Sequence, residues 1–252
     1  MEKPVQSFII ILFATMLIQI TCTSLPFEMI IPGTEDFLPS FIAGAVTAIL
    51  FIYIFKIKKF FSISNLKLGL ILVCPDLLMI IINIINPGFT INVSPMVLIS
   101  TILAGLAIGF SEEIMFRGIV VSYLMKVFRN SKSILIIVIV SALTFGIMHS
   151  LNAIIGDPLE DTLLQVFYCF ATGILYAAVY LRTGNLWPTI ILHSIGDITG
   201  FLCTGVVSDG FLTTINTLII ICSIISIAIG LYYVRPSKHE EILKIWDEKW
   251  AN

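Results

Sequence analysis

Residues 95–126 read PMVLISTILAGLAIGFSEEIMFRGIVVSYLMK. Apart from the closing Lys126, the charged residues of this apolar run are Glu112, Glu113 and Arg117, crowded into Ser111–Gly118. A helix crosses the ~30 Å hydrocarbon layer with about 20 residues. The run is longer than that, so a tilt, or a bend near Gly105 and Gly109, is expected. One charge at the bilayer centre costs about 2.5–3.5 kcal/mol on insertion scales, and three facing lipid would cost about 10 kcal/mol. The helix must therefore turn these groups toward a protein interior, which other helices have to supply.

The flanking sequence offers them. Seven further apolar stretches run Phe8–Leu25, Phe37–Phe55, Leu66–Ile85, Ile134–Ser150, Leu163–Leu181, Trp187–Val206 and Phe211–Val234. The chain is 58% hydrophobic and only 12% charged, about half the charge of a soluble domain, which excludes a soluble protein of this size. The expected fold is all-α: a single polytopic membrane domain, 1–252, of about eight transmembrane helices around a central polar cavity. The first stretch follows Lys3 and lacks a small-x-small cleavage site, so it reads as an uncleaved span. The cysteines are scattered singly, with no C-x-x-C pair, so they give no zinc signature.

Positive charge is asymmetric. With the N-terminus inside, the cytoplasmic segments hold Lys3, Lys56, Lys58, Lys59, Lys67, Lys126, Arg129, Lys132, Arg182, Arg235, Lys238, Lys244 and Lys249. The opposite loops hold Glu28, Glu35, Asp36, Asp157, Glu160, Asp161 and Asp209, without Lys or Arg. The positive-inside rule then places both termini in the cytoplasm, and the plasma membrane is the expected location. In the tail, 236–252, Ile242, Leu243, Ile245, Trp246 and Trp250 recur at helical spacing among Lys and Glu, which predicts an amphipathic helix on the cytoplasmic lipid surface.

Within the long run, Glu113 and Arg117 are four apart and share a helix face. Glu112 sits about 100° around. Arg117 is therefore expected to hold Glu113 and to leave Glu112 facing a cavity. A charged cluster that only locks helix packing is the alternative. Of the chain's histidines, His239 lies in the polar tail and reads as a surface residue. His149 follows Phe145 by four, so the phenyl ring would shield one side of the imidazole. His193 precedes Asp197 by four, which lets a carboxylate orient the ring. In the third span Pro75 is expected to kink the helix and leave Asp76 beside freed carbonyls.

Taken in order, E-E-x-x-x-R (Glu112, Glu113, Arg117, then Gly118), F-x-x-x-H (Phe145, His149) and H-x-x-x-D (His193, Asp197) resemble the CPBP family. This family, also called Abi, comprises CAAX proteases and bacteriocin-processing enzymes and includes the type II CAAX prenyl endopeptidase. The resemblance covers the motif-bearing core, 95–206. It implies an intramembrane endopeptidase acting on a membrane-associated peptide or lipidated protein, CAAX-type prenylated substrates included. Asp197 stands where the prenyl endopeptidases usually carry Asn.

The chemistry can be argued beside the resemblance. Peptide hydrolysis needs an activated water, a proton shuttle and an oxyanion donor. Glu112 with His149 can polarise a water, and His193, supported by Asp197, can face the oxyanion. Glu113, Arg117 and Phe145 are expected to position them. Glu112, His149 and His193 are also a donor set for a divalent metal such as zinc, so metal dependence stays open. There is no H-E-x-x-H, G-x-S-x-G or presenilin-like G-x-G-D. Two readings from other classes remain. One is a non-catalytic membrane scaffold or bacteriocin-immunity protein. The other is a proton-coupled transporter relaying through Glu112, His149 and Asp197. The expected partners are the lipid bilayer and the substrate, with no nucleic acid.

Overall fold

The computed structural model describes residues 38–55, 63–128, 133–203 and 214–250, with scattered helical positions between 6 and 21. The first expected span and the loop residues Lys56, Lys58, Lys59, Arg129, Lys132 and Asp209 lie mostly or wholly outside them.

Among the described residues the fold is helical, with a lone bridge between Phe89 and Cys203 as its β-type pairing. Helix α1 spans Leu38–Phe55. The third expected span divides into α2 (Leu66–Val73), a 3-10 turn (Cys74–Asp76) and α3 (Leu77–Ile85). Pro75, which lacks an N–H, sits in that turn, as the kink requires. Helix α4 spans Pro95–Glu113, a π-helical segment Ile114–Val121, and α5 Ser122–Val127. Then follow α6 (Ile134–Met148), a short α7 (Leu151–Ile155), α8 (Leu159–Thr183), α9 (Trp187–Phe201), α10 (Thr214–Tyr233) and α11 (His239–Trp250).

The chain is an integral membrane protein by this architecture. Five helical segments are long and apolar enough to cross a bilayer: Leu66–Ile85, Pro95–Val127, Ile134–Ile154, Leu159–Thr183 and Thr214–Tyr233. They carry large apolar side chains on their outer faces, such as Ile81, Leu106, Ile136, Leu163 and Ile224. In water these would be a liability, whereas lipid is their natural solvent. Among the described residues, α1 and α9 cover two further expected spans with 18 and 15 residues.

Local signals set the helix ends. Ser94 caps α4 by accepting the Val97 N–H, and Pro95 opens the helix. Gly184, at φ 65°, ends α8 in the left-handed conformation that glycine adopts without penalty. Helix α8 is the central post, flanked by α10 and α6 and touched by α2, α9 and α11. Its second half, from Ala171 to Thr183, is almost entirely buried.

Where a tilt, or a bend near Gly105 and Gly109, is expected, the helix runs unbroken through both glycines. Those glycines lie within α4, and the irregularity falls later, in the π-helical turns just after Glu113. The glycines instead allow α9 to approach. A Cβ on Gly109 would stand 2.8 Å from the Ser194 backbone nitrogen, and one on Gly105 would stand 2.6 Å from Ile198 Cγ1. Small residues one turn apart bring two membrane helices into backbone contact, and here they bring His193 beside the acid pair.

The tail also departs from expectation. Helix α11 is amphipathic, but its apolar face lies against protein. Ile242 and Trp246 are fully buried, and the Trp246 indole N–H donates to the Leu181 carbonyl at 3.0 Å. Arg182 pairs with Glu241 at 2.9 Å, and Lys249 donates to Gly184 O and Tyr180 Oη. An apolar stripe fits lipid and a packed helix end equally well. The carbonyls exposed at the end of α8 supply acceptors that lipid lacks.

Candidate active site

The i, i+4 pair forms as expected. Arg117 Nη1 lies 2.8 Å from Glu113 Oε1, and both side chains are wholly buried. The guanidinium is also gripped by rings, 4.3 Å from the centroid of Phe145 and 5.2 Å from that of Tyr176. A buried cation held by one carboxylate and two π faces is compensated from three sides. The wider turn that follows Glu113 is the kind of irregularity that recurs at functional sites.

Glu113 has a second task. Its Oε1 accepts from His193 Nδ1 at 3.0 Å. The expected partner, Asp197, is farther off, with its Oδ2 3.7 Å from His193 Nε2. The orientation of His193 therefore comes from α4, across the glycine contact, rather than from its own helix. A carboxylate accepts, so Nδ1 carries the proton and Nε2 points away from Glu113. There it meets Glu112, whose Oε2 is 3.6 Å away.

His149 caps the end of α6. Its Nδ1 lies 2.9 Å from the Phe145 carbonyl oxygen, which can only accept. The proton is thus on Nδ1, and a neutral ring leaves Nε2 as an acceptor. The Phe145 ring meets His149 edge-on at 4.9 Å and His193 at 5.8 Å, and it also packs on Phe116 at 5.0 Å. One phenyl ring thus locates both imidazoles and the guanidinium.

These side chains surround a cavity of about 520 Å³, lined by Glu112, Phe145, His149, His193 and Asp197 together with Asp76, Tyr168, Cys169 and Tyr176. Asp76, at the 3-10 turn, is buried and accepts a hydrogen bond from the Tyr176 hydroxyl. Asp197 Oδ2 and Ser194 Oγ are buried and make no hydrogen bond to protein. At the outer rim Asn152 donates to Gln165 at 2.7 Å.

Tyr176 and the Asn152–Gln165 pair had no signal in the sequence, because α8 brings Tyr176 and Gln165 to the cavity and α7 brings Asn152, by no local spacing. The link between α8 and α9 is buried. Asn185 and Leu186 are almost fully buried, with the Asn185 amide donating to Ser64 O and its Oδ1 accepting the Trp187 N–H. The connection is drawn into the bundle end, so α9 starts deep and His193 reaches the level of Glu112 within two turns.

Among the described residues no group of three or more His, Cys, Asp or Glu side chains is arranged to hold a metal ion. With its Nδ1 committed to Glu113, His193 does not form such a group with Glu112 and His149.

Residues 94–199 match the family model described as type II CAAX prenyl endopeptidase Rce1-like. That segment is similar to this family. No curated protein and no solved structure matches it. The Rce1-like segment runs from the cap of α4 to the last turns of α9 and contains each of the residues from Glu112 to Asp197 named above. The match supports a CAAX-type intramembrane peptidase in general, in agreement with the three motifs. Asp76, in the first part of the bundle, lies outside it.

Proposed function

We propose that this protein is an endopeptidase that hydrolyses a peptide bond of a membrane-associated substrate inside the bilayer, through a water activated by Glu112 and His149. The observation that carries the reading is the convergence of Glu112, His149 and His193 on one cavity, with Glu112 Oε2 3.6 Å from His193 Nε2.

The roles follow from the hydrogen bonds. Glu112 is the acid that Arg117 does not hold, so it is free to take a proton from water. His149, with its proton fixed on Nδ1 by the Phe145 carbonyl, offers Nε2 to orient the same water. His193 acts as an imidazolium among Glu112, Glu113 and Asp197: Nδ1–H donates to Glu113, and Nε2–H faces the carbonyl oxygen that becomes the oxyanion. Such donors act because they are aimed before charge develops. As the tetrahedral intermediate collapses, Glu112 returns its proton to the leaving amine. Asp197 lines the substrate side of the cavity, and its unbonded oxygen can accept a substrate amide N–H. Glu113, Arg117 and Phe145 are positioning residues.

We place the protein in the plasma membrane with both termini cytoplasmic, on the charge asymmetry of its loops. The whole chain is taken as one membrane domain. CAAX-type prenylated peptides belong to the substrate class that the reading admits.

The test is direct. Purified protein in detergent is incubated with quenched CAAX-type peptides, prenylated and unprenylated, and the products are weighed. An internal cut at one bond supports the reading. Intact peptides after prolonged incubation with folded protein would leave the scaffold or transporter readings in its place.

A further inference from the structure

We infer that the cavity admits its substrate from the membrane face opposite the cationic end of the bundle, so that the bond it would cut lies on an extracytoplasmic peptide segment. The inference rests on the peptidase reading for the word substrate, but its geometry is independent of it.

The cationic end is well defined. Lys67 begins α2, Lys126 lies at the end of α5, Arg182 closes α8, Arg235 follows α10, and α11 with Lys249 docks across that end. The cavity lies away from it. At about 1.5 Å per residue, Tyr176 is about 10 Å from the cationic end of α8 and Gln165 about 27 Å. Phe201 is about 21 Å along α9, and Asn83 about 26 Å along the α2–α3 segment. The acidic loop of Asp157, Glu160 and Asp161 is at this far end, where α8 begins.

Exposure rises in the same direction. Arg117 and Tyr180 at 0% and Tyr176 at 1% form the floor, with Trp246 sealed beneath them. The side chain of His193 is 12% exposed, Glu112 21% and Asp197 23%. Phe201, at the rim, reaches 48%. The cavity lining thus continues from Glu112 to Gln165 and Phe201 at the far end, whereas toward the cationic end it is closed by close-packed core.

The lining indicates the kind of peptide. Asn83, Asn152 and Gln165 offer neutral amides for a peptide backbone, and Phe201 and Ile219 offer apolar contact. The interior carries Asp76, Glu112 and Asp197 with no Lys or Arg among the lining residues. Neutral or basic residues around the scissile bond fit such a site, and acidic ones are repelled. The ligand class is thus a membrane-tethered peptide, neutral or cationic near the cut, presented outside the cytoplasm.

The experiment reads sidedness first. In a background with the five native cysteines replaced by Ala or Ser, single cysteines at Gln165, Ile219 and Lys244 are exposed to a membrane-impermeant maleimide in intact cells. Gln165→Cys and Ile219→Cys should label, and Lys244→Cys only after permeabilisation. Two rim positions guard against a local folding defect. Labelling of the rim only after permeabilisation, or not at all, overturns the inference. A quenched peptide with basic flanks, one of the same sequence with acidic flanks and a prenylated CAAX peptide are then each offered to intact cells and to inside-out vesicles. Cleavage of the basic peptide in intact cells, at least tenfold faster than the acidic one, supports the inference, and cleavage confined to inside-out vesicles overturns it. If the rim labels from outside and no peptide is cut on either side, the inlet stands and the peptidase reading fails.

Discussion

His193 Nδ1 lies 3.0 Å from Glu113 Oε1, on a different helix, while Asp197 on its own helix stands 3.7 Å from the other ring nitrogen. The ring is therefore oriented by the acid that also neutralises Arg117. Asp197→Asn should leave His193 in place. Turnover in that variant should stay within about tenfold of wild type, a barrier change of about 1.4 kcal/mol or less. A loss of a thousandfold or more, in a protein with unchanged thermal stability, would return the orienting role to Asp197.

Arg117 neutralises Glu113 in a place that water does not reach. Arg117→Ala leaves that carboxylate buried without its cation, at a cost of about 3–5 kcal/mol. The expected result is a lower yield of folded protein and a lower midpoint of thermal unfolding in detergent. Normal abundance and an unchanged midpoint would contradict the pairing.

Much of this was legible along the chain, for a physical reason. Glu113 with Arg117 and Phe145 with His149 are each one helical turn apart, and one turn is enough to bring side chains together wherever the helix lies. The third such pair, His193 with Asp197, shows the limit: the spacing permitted a contact, and a closer partner on α4 took it. That partner depends on Gly105 and Gly109, whose lack of side chains reads in sequence as flexibility and acts in the fold as access for α9. The π-helical turns after Glu113 have no sequence signature here. Tyr176 reaches Asp76 over 100 positions, a pairing that only the tertiary fold creates. The tail carried an apolar stripe whose period is the same whether it meets lipid or protein.

Lys249 supplies a pH-dependent expectation outside the spans. Burial pushes its ammonium down to about 7 from an ordinary 10.5. Between those values the unfolded chain holds a proton that the folded one has released, so folded-state stability should rise with pH through that window and level off below about 7. Lys249→Met should abolish this part of the slope. Thermal midpoints at pH 7 and pH 10, for wild type and variant, measure it, and equal slopes in the two proteins would remove the buried lysine as its source.

The most direct test is the rate of peptide cleavage by Glu112→Gln. The substitution keeps the shape and removes the base. In a protein that melts at the wild-type temperature, turnover should fall by about 10²–10⁴-fold, the usual contribution of a positioned base. Cleavage at the full wild-type rate in that variant would take Glu112 out of the chemistry and would contradict the assignment of this cavity as a hydrolytic site.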